Sequence, residues 1–477
     1  MSTAMPAHPL YIDGTWRTTA SLRTVRNPYD DQIAGEVCQA GAPDVEDAIA
    51  SAMRAFPETR KMPSFQRAEV LSAVSRRISE RKEDFARMIT EETGKPISLS
   101  RSEVDRSIFT FSIAAEEARR IEGTVLPLDL NAQSIGRFGL VRRFPLGPVG
   151  AITPFNFPLN LVSHKVAPAI AAGNPLVLKP SSAAPMTALL LAEVFSESLL
   201  PRGAFNVICC MGAEAAQLIT DERIKLITFT GSPAIGWPLK AQAGKKRVVL
   251  ELGGNAGVIV EPDADMDLAR EKILAGGFAN AGQSCISVQR VYVQADIWEE
   301  FVPDLVAGAE AIKPGDPWLE STVVGPMITV QAAEQVESWI ADAVSGGARI
   351  LCGGNRKGAM FEPTILADVR PDMNVNCKEV FAPVIIVERY GTFADALGRV
   401  NDSAFGLQAG VFTRDLRNAF RAYEELEVGG VVINDVPTYR IDHMPYGGVK
   451  DSGFGREGIR YAIEEMTELK LLAVNSL

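Results

Sequence analysis

Short apolar runs alternate with helix-length segments between Gly150 and Gly254, and this alternation limits the possible folds more than any other feature of the chain. The runs read VGAIT, PLVLK, FNVICC, KLITFT and RVVLEL. Apolar runs of this length are typical of parallel strands that helices cover on both faces. We therefore predict a doubly wound, Rossmann-like α/β domain. Ligands of such a sheet bind at the carboxyl ends of its strands.

The segments on either side of this region extend the predicted fold. Helical patterns at 44–56, 65–92 and 100–122 precede it, and SIGRFGLVRRF at 134–144 has the pattern of a strand. That strand is either a β-arm or a solvent-facing hairpin of the same domain. A second α/β domain is predicted from further strands at 257–260, 288–293, 384–390, 410–412 and 428–433.

The last apolar run, ELKLLAV at 468–474, also has the pattern of a strand. An exposed edge strand of this composition promotes aggregation. We expect it to pair with another domain or another subunit, which suggests an oligomer.

Composition and charge exclude several classes of protein. The chain carries 48 basic and 59 acidic residues, for a net charge of −11, which argues against general binding to nucleic acid or anionic membranes. No apolar run reaches the roughly 18 residues of a membrane span, and the start lacks the pattern of a signal peptide, so we expect a cytoplasmic protein. The six cysteines are scattered, which argues against a metal site, and the adjacent Cys209 and Cys210 suit a strand.

Cys285 is the candidate nucleophile. It ends the turn NAGQSC between a helix-like segment at 263–278 and a strand-like one at 287–294, where a sulfur can face a cleft. A thiol becomes a good nucleophile only where its surroundings stabilise the thiolate. The alternative is that Cys285 is a small buried hydrophobic residue.

Four other motifs also lie in loops that follow predicted strands. Asn156 in PFNFP offers an amide donor, Lys179 in KPS offers a cation, and Glu251 in ELGGN offers a carboxylate. In FTGSPAIG, residues 231–232 open a helix whose free amides can hold a phosphate. One Gly-rich turn is weak evidence, but the five motifs in this order point to a single site.

On these motifs the chain resembles the aldehyde dehydrogenase superfamily, from YIDGTW near the start to PYGGVKDSGFGREG at 445–458. The resemblance implies oxidation of an aldehyde to its acid with NAD or NADP. In that family the cysteine attacks the aldehyde, the asparagine amide stabilises the oxyanion, hydride transfer leaves a thioester, and the glutamate activates the water that hydrolyses it. Those roles fall on Cys285, Asn156 and Glu251.

The resemblance also implies a cofactor site. Lys179 and Glu379 would bind the adenosine and nicotinamide riboses, and Phe381 would flank the nicotinamide. The full predicted set is Thr153, Pro154, Phe155, Lys179, Ser181, Ser182, Gly212, Thr230, Gly231, Ser232, Leu252, Gly253, Glu379 and Phe381. No metal is implied.

The same resemblance divides the chain. The cofactor domain would comprise residues 1–122 and 146–252, the catalytic domain 253–455, and a bridging, oligomerisation segment 123–145 and 456–477. The assembly would be a homodimer or a homotetramer.

Two residues depart from the common family pattern. Phe155 replaces a frequent tryptophan and keeps an aromatic wall. Ser182 replaces the glutamate of many NAD-preferring members. A carboxylate at 182 would repel a 2′-phosphate and a serine would not, so we expect NADP to be accepted beside NAD.

The substrate is less well defined by sequence. Arg440 and His443 in the loop 437–446, together with Arg106, are candidates to bind an anionic group on a short aldehyde. Solvated surface arginines are the alternative. Ser284 occupies a position where some phosphate-handling members carry arginine. We expect a small polar or anionic aldehyde of the succinate-semialdehyde, lactaldehyde or phosphonoacetaldehyde type.

Two other functions compete with this hypothesis. A CoA-acylating dehydrogenase would pass the acyl group to CoA, but members of that type commonly lack the glutamate found here at position 251. A catalytically idle protein of the same fold would have no need of Asn156, Glu251 and Cys285 together. Nucleic-acid binding has no support beyond the arginine pair at 142–143.

Overall fold

The computed structural model describes residues 7–476, so the first six residues and Leu477 of the predicted outer segments lie outside it. The helical pattern at 65–92 proved to be two helices, because the chain turns at Arg81, whose N–H bonds back to the carbonyls of Arg77 and Ile78. The first elements are β1 (Leu10–Ile12), β2 (Thr15–Arg17), β3 (Leu22–Arg26), β4 (Ile33–Cys38), α1 (Ala42–Thr59), α2 (Ser64–Glu80), α3 (Lys82–Thr93) and α4 (Ile97–Glu117).

The predicted doubly wound sheet follows. Its elements, with the two strands that precede it, are β5 (Thr124–Pro127), β6 (Arg137–Pro145), β7 (Val149–Ile152), α5 (Asn160–Ala172), β8 (Leu176–Lys179), α6 (Met186–Ser196), β9 (Phe205–Val207), α7 (Gly212–Thr220), β10 (Leu226–Thr230), α8 (Pro233–Gln242) and β11 (Arg247–Glu251). Strands β9, β8, β7, β10 and β11 lie side by side in that order and are parallel. The order of strands along the chain reverses between β7 and β10, which makes the crevice there the expected ligand site.

A second α/β sheet is built from the following half of the chain. Its elements are β12 (Gly257–Val260), α9 (Met266–Phe278), β13 (Arg290–Gln294), α10 (Trp298–Ala311), α11 (Val330–Ser345), β14 (Arg349–Cys352), β15 (Arg356–Lys357), β16 (Met360–Phe361), β17 (Thr364–Ala367), α12 (Asn374–Cys377), β18 (Val384–Tyr390), α13 (Phe393–Asn401), β19 (Phe405–Gly406), β20 (Gln408–Phe412), α14 (Leu416–Glu425) and β21 (Gly430–Ile433). The sheet order is β14-β17-β18-β13-β12-β20-β21, and β14 alone runs antiparallel to its neighbour. The predicted α/β fold class is confirmed.

The remaining elements are β22 (Val449–Lys450), β23 (Gly453–Phe454), α15 (Ile459–Glu465) and β24 (Thr467–Asn475). Strand β23 joins the first sheet beside β11. Strand β24 pairs antiparallel with β6 along its whole length, and β5 lies on the other side of β6. The tail therefore pairs with the arm of its own chain, and the resulting sheet exposes large apolar side chains: Val125, Phe138, Leu140, Leu469, Leu471 and Leu472.

One sequence prediction was wrong in this region. Cys209 and Cys210 do not lie in a strand, because β9 ends at Val207, but both are buried in the segment that follows it. Within residues 7–476, no helix is both long and apolar enough to cross a membrane. The same residues contain no group of three or more His, Cys, Asp or Glu side chains placed to hold a metal ion.

Candidate active site

A cavity of about 480 Å³ lies where the carboxyl ends of β7, β10 and β11 face the turn after α9. Asn156, Glu251 and Cys285 all line it, although they are far apart in the sequence. The other predicted site residues that line it are Arg106, Pro154, Phe155, Thr230, Gly231, Ser232, Leu252, Gly253, Ser284, Glu379, Phe381 and Arg440.

The turn that carries Cys285 depends on an unusual backbone conformation. Asn280, Ala281 and Gly282 have φ angles of 52°, 54° and 66°, in the left-handed region. A Cβ at Gly282 would overlap the carbonyl oxygen of Ala382. Glycine is therefore required at 282 both for its backbone angle and for the close approach of another chain segment. The tight turn ends α9 and places Cys285 at the cavity.

The sulfur of Cys285 is half-buried and lies 3.0 Å from the hydroxyl oxygen of Tyr446. Burial raises the pKa of the Cys285 thiol to about 12, and the hydrogen bond from Tyr446 acts in the opposite direction. The resting protein therefore holds a protonated thiol that its surroundings must help to ionise.

Asn156 is fixed beside the nucleophile. Its Nδ2 donates a hydrogen bond of 3.0 Å to the carbonyl of Gln283, and its buried Oδ1 has no partner. An amide nitrogen carries two N–H groups, so one donor remains for a substrate oxygen near Cys285. This geometry suits the predicted oxyanion role.

Glu251 ends β11 and is 3% exposed, yet neither carboxylate oxygen has a hydrogen-bond partner. Burial, reinforced by the negative charge of Glu457, raises the pKa of Glu251 well above its usual range. Glu457 is itself held by Lys165 at 2.9 Å and Arg440 at 3.3 Å. A carboxyl group with a raised pKa and free oxygens in a cavity is suited to move a proton to and from water.

Two arginines, Arg106 and Arg440, also line the cavity. Arg106 binds Asp442, with Nη2 at 2.7 Å from Oδ1 and Nε at 3.3 Å from Oδ2. Asp442 also accepts from the His164 ring at 2.8 Å, and that ring is 3.3 Å from Nη2 of Arg440. The Nε of Arg440 is buried and has no acceptor. A buried guanidinium with a free donor is costly unless a ligand supplies the acceptor.

His443 is the one predicted substrate residue that the fold places elsewhere. It is exposed and does not line the cavity, whereas its neighbour Asp442 is buried and turns toward Arg106. His443 therefore does not belong to a substrate site in this cavity. The loop folds this way because Asp442 satisfies donors on three separate side chains: Arg106, Asn160 and His164.

The cofactor side of the cavity is also organised. Glu379 accepts a hydrogen bond of 3.1 Å from the N–H of Gly254, and burial raises the pKa of Glu379 to about 8. Phe381 has a φ of 54° and meets Phe155 edge to face, with the ring centres 6.0 Å apart. A Cβ at Gly253 would overlap the Glu379 carboxylate, so glycine at 253 allows that carboxylate to lie against the backbone.

The remaining predicted cofactor residues lie outside the cavity, along the same ends of the strands. Lys179 ends β8, Gly212 begins α7, and Ser181 caps its own turn by accepting the N–H of Ala183. Burial lowers the pKa of Lys179. The carbonyl of Ser182 accepts 3.0 Å from Nε of Arg23, a residue on β3.

The residues at the carboxyl ends of the strands of the first sheet fit a dinucleotide. The hydroxyls of Thr153 and Thr230, at the ends of β7 and β10, are buried without hydrogen-bond partners. The N-terminus of α8 is capped by no side chain. Buried hydroxyls and free helix amides at a sheet's switch point are the donors that a dinucleotide's phosphates and amide need. Lys179, Glu379 and Phe381 would hold its riboses and ring.

Sequence reasoning missed several residues of the site. Tyr446 and Glu457 belong to the PYGGVKDSGFGREG segment, so the motif contained them but gave no role for them. His164, Lys165 and Asp442 belong to a buried polar network behind the cavity. The available signal was the adjacent His164 and Lys165 in the mostly apolar α5.

Comparison with known proteins gives one family. The model of the Aldehyde dehydrogenase family matches residues 16–472. A 3-sulfolactaldehyde dehydrogenase from Priestia aryabhattai is 45% identical over 474 residues, with 99% of each chain covered.

Solved structures agree with this result. Aldehyde dehydrogenase 21 from Physcomitrella patens, in complex with the reaction product succinate, has a TM-score of 0.97 at 44% identity, with 99% of each chain covered. Glyceraldehyde-3-phosphate dehydrogenase GapN from Methanocaldococcus jannaschii, complexed with NADP, has a TM-score of 0.92 at 38% identity, covering 96% of this chain and 100% of that one.

The nucleophile turn yields a direct test. Gly282→Ala introduces both backbone strain and an overlap with Ala382. It should lower the free energy of unfolding by several kcal/mol, which is more than the roughly 1 kcal/mol expected from strain alone. It should also abolish activity. Gly244→Ala is the matched control, since Gly244 has a φ of 63° but open space around it. Denaturant unfolding of both variants measures the difference, and equal losses would contradict this account of the turn.

Proposed function

We propose that this chain, which belongs to the aldehyde dehydrogenase family, oxidises a short aldehyde that carries an anionic group at its far end. The general activity follows from the family: the protein is an NAD(P)-dependent aldehyde dehydrogenase that acts on a small polar aldehyde and yields the acid. The observation that supports the anionic group is Arg440, whose buried Nε lacks an acceptor in the cavity of the nucleophile.

The relatives point the same way. One is named for a sulfonated aldehyde, one holds succinate, and one is named for a phosphorylated aldehyde. Sulfonate, carboxylate and phosphate share negative oxygens in a fork that a guanidinium can bind. We infer that Arg106 and Arg440 bind this group while the aldehyde carbon reaches Cys285.

The residues then divide the work. Cys285 bonds to the aldehyde carbon, Asn156 donates to the oxygen that becomes negative, and Phe155 and Phe381 confine the reacting carbon. The bound nicotinamide supplies the hydride acceptor. Glu251 takes a proton from the water that attacks the resulting thioester, and its two free oxygens place it for this task.

The anion proposal predicts a change in selectivity. Arg106→Gln and Arg440→Gln should each lower kcat/KM for succinate semialdehyde or sulfolactaldehyde about 10- to 100-fold, because each removes a charge-assisted hydrogen bond. For neutral lactaldehyde Arg106→Gln should change kcat/KM little. Arg440→Gln should lower it by a smaller factor than for the anionic aldehydes, because Arg440 also lies over the ring of Tyr446 beside the nucleophile. Arg101→Gln is the matched control on the same helix, since Arg101 is bound to Glu83 and Glu320 and does not line the cavity. An unchanged ratio of anionic to neutral kcat/KM would exclude the proposal.

The base role of Glu251 predicts a pH dependence. The base must be ionised to act, and its raised pKa means that less of it is ionised as pH falls, so kcat should decline on the acid side with a midpoint above glutamate's usual range. Glu251→Gln should lower kcat by about 10²-fold or more and remove that limb. Glu261→Gln is the control. It changes another buried glutamate with a raised pKa, one that lies outside the cavity, and it should keep the acid limb of the kcat profile. If the acid limb persists in Glu251→Gln, a residue other than Glu251 is the base.

We also propose that NADP is accepted beside NAD. Ser182 brings no carboxylate to the position expected beside the adenosine ribose, and both Lys179 and Arg23 lie near it. Ser182→Glu should therefore weaken NADP binding about tenfold or more while NAD binding changes little, since a new carboxylate repels a 2′-phosphate. Isothermal titration with each cofactor measures this, and Ser182→Gln controls for size. Equal weakening of both cofactors would contradict it.

A homodimer or homotetramer is part of the proposal, built through the arm that residues 123–145 and 456–477 form. The apolar side chains of β24 and β6 support it, because such a patch is normally covered. Leu471→Asp should shift the assembly toward monomer in size-exclusion chromatography with light scattering, whereas Lys470→Asp on the same strand should not. A monomeric wild type would exclude the assembly.

The domain division and the cellular location complete the proposal. Residues 1–122 with 146–252 would hold the cofactor, and 253–455 would carry the nucleophile. The cytoplasm is the proposed location, because a nucleophilic thiol and the other free cysteines of the described chain suit a reducing compartment.

A further inference from the structure

Tyr446 forms a hydrogen bond with the sulfur of the nucleophile, and the proposed function gives it no task. Its hydroxyl oxygen is 3.0 Å from the sulfur of Cys285. Tyr446 is 3% exposed, and its ring packs with Ile286 and Leu407 around Cys285. Its backbone is fixed by two hydrogen bonds with Glu457, at 3.0 and 2.7 Å. The hydroxyl is therefore held against the sulfur by the fold.

The direction of this hydrogen bond follows from the surroundings. Burial, together with the nearby sulfur, raises the pKa of the Tyr446 phenol well above its usual range. The phenol therefore keeps its proton wherever Cys285 can ionise, and it is the donor to a thiolate. The Arg440 guanidinium lies 3.6 Å above the centre of the Tyr446 ring, and a cation on the ring face makes the O–H a stronger donor.

The other charged groups around the sulfur do not supply such a donor. Glu251 and Glu379 lie near enough to oppose a negative sulfur. Arg440 favours it, but its guanidinium is directed to the Tyr446 ring and to Glu457. A neutral O–H that touches the sulfur is thus the local group able to stabilise the thiolate directly.

We propose that Tyr446 is a catalytic residue, whose hydroxyl donates a hydrogen bond to the sulfur of Cys285 and so stabilises the thiolate before it meets the aldehyde. The thiol proton passes to water when the thiolate forms. The inference rests on the proposed role of Cys285 as nucleophile, and it adds the group that makes the thiol ionisable in a buried site.

The test measures ionisation of Cys285 in the assembled enzyme without aldehyde or cofactor. The rate of iodoacetamide alkylation at Cys285, followed by peptide mass, is recorded against pH for the wild type and for Tyr446→Phe. The phenylalanine keeps the ring under Arg440 and removes only the O–H. The rates are compared below the pKa of the thiol, where alkylation is proportional to the fraction of thiolate. Loss of a hydrogen bond to a charged group should lower the alkylation rate about 10- to 100-fold at each pH, with kcat/KM lower by a similar factor at neutral pH.

Two controls separate this role from packing. Tyr292→Phe removes another buried hydroxyl, one that binds Arg290 and the carbonyl of Arg399, and should leave the alkylation rate unchanged. A fluorinated tyrosine at 446 keeps the shape and has a more acidic O–H, so it should raise the alkylation rate. The fluorinated protein also keeps the test decisive if Tyr446→Phe folds poorly.

The proposal is overturned if the alkylation rate is the same in the wild type and Tyr446→Phe, or if fluorination leaves the rate unchanged. Because alkylation needs no substrate, a slower rate in Tyr446→Phe of a protein that oxidises no aldehyde would support the Tyr446 role while refuting the proposed function. Normal aldehyde dehydrogenase activity with an unchanged alkylation rate would do the reverse.

Discussion

The structure depends on one tight turn, where the left-handed backbone of Asn280 to Gly282 packs against the carbonyl of Ala382. This contact ends α9 and directs Cys285 toward the strand ends of the other sheet. Without it the nucleophile would continue along a helix of the second sheet and would not meet Asn156 or Glu251. The turn thus links two separately formed sheets into one site, and each sheet supplies residues that the other lacks.

The polar groups around this turn are arranged at a cost to stability. Buried polar atoms normally find hydrogen-bond partners, because each unpaired one costs on the order of 1 to 3 kcal/mol. Here Thr153, Asn156, Thr230, Glu251 and Arg440 all keep a buried atom without one. A fold retains such atoms where a ligand supplies the missing partner, and all of these residues except Thr153 line the cavity of the nucleophile. The same low polarity raises the pKa of both Glu251 and Cys285. Each of them therefore needs neighbouring groups that stabilise its ionised form before it can react.

The sequence predicted the fold where the fold depends on local pattern, because buried parallel strands are recognisable as apolar runs. It also predicted that Asn156, Glu251 and Cys285 meet, and the structure brings them to one cavity from the loop after β7, the end of β11 and the turn after α9. It failed where a contact joins distant segments. Nothing in the loop 437–446 says that Asp442 turns inward and His443 outward, because the choice is made by donors on Arg106 and His164, far away in the chain. The sequence predicted α2 and α3 as a single helix, because neither glycine nor proline marks the turn at Arg81.

The central claim is that the sulfur of Cys285 becomes bonded to the substrate carbon. The most direct measurement is intact-protein mass with peptide mapping, after the enzyme is mixed with an anionic aldehyde and cofactor and quenched with acid within one turnover. The account predicts an added acyl mass located on the peptide of Cys285, greater in a variant whose Glu251 is replaced by Gln and absent when Cys285 is replaced by Ala. Product formation with no covalent adduct on Cys285 in any of these proteins would contradict it.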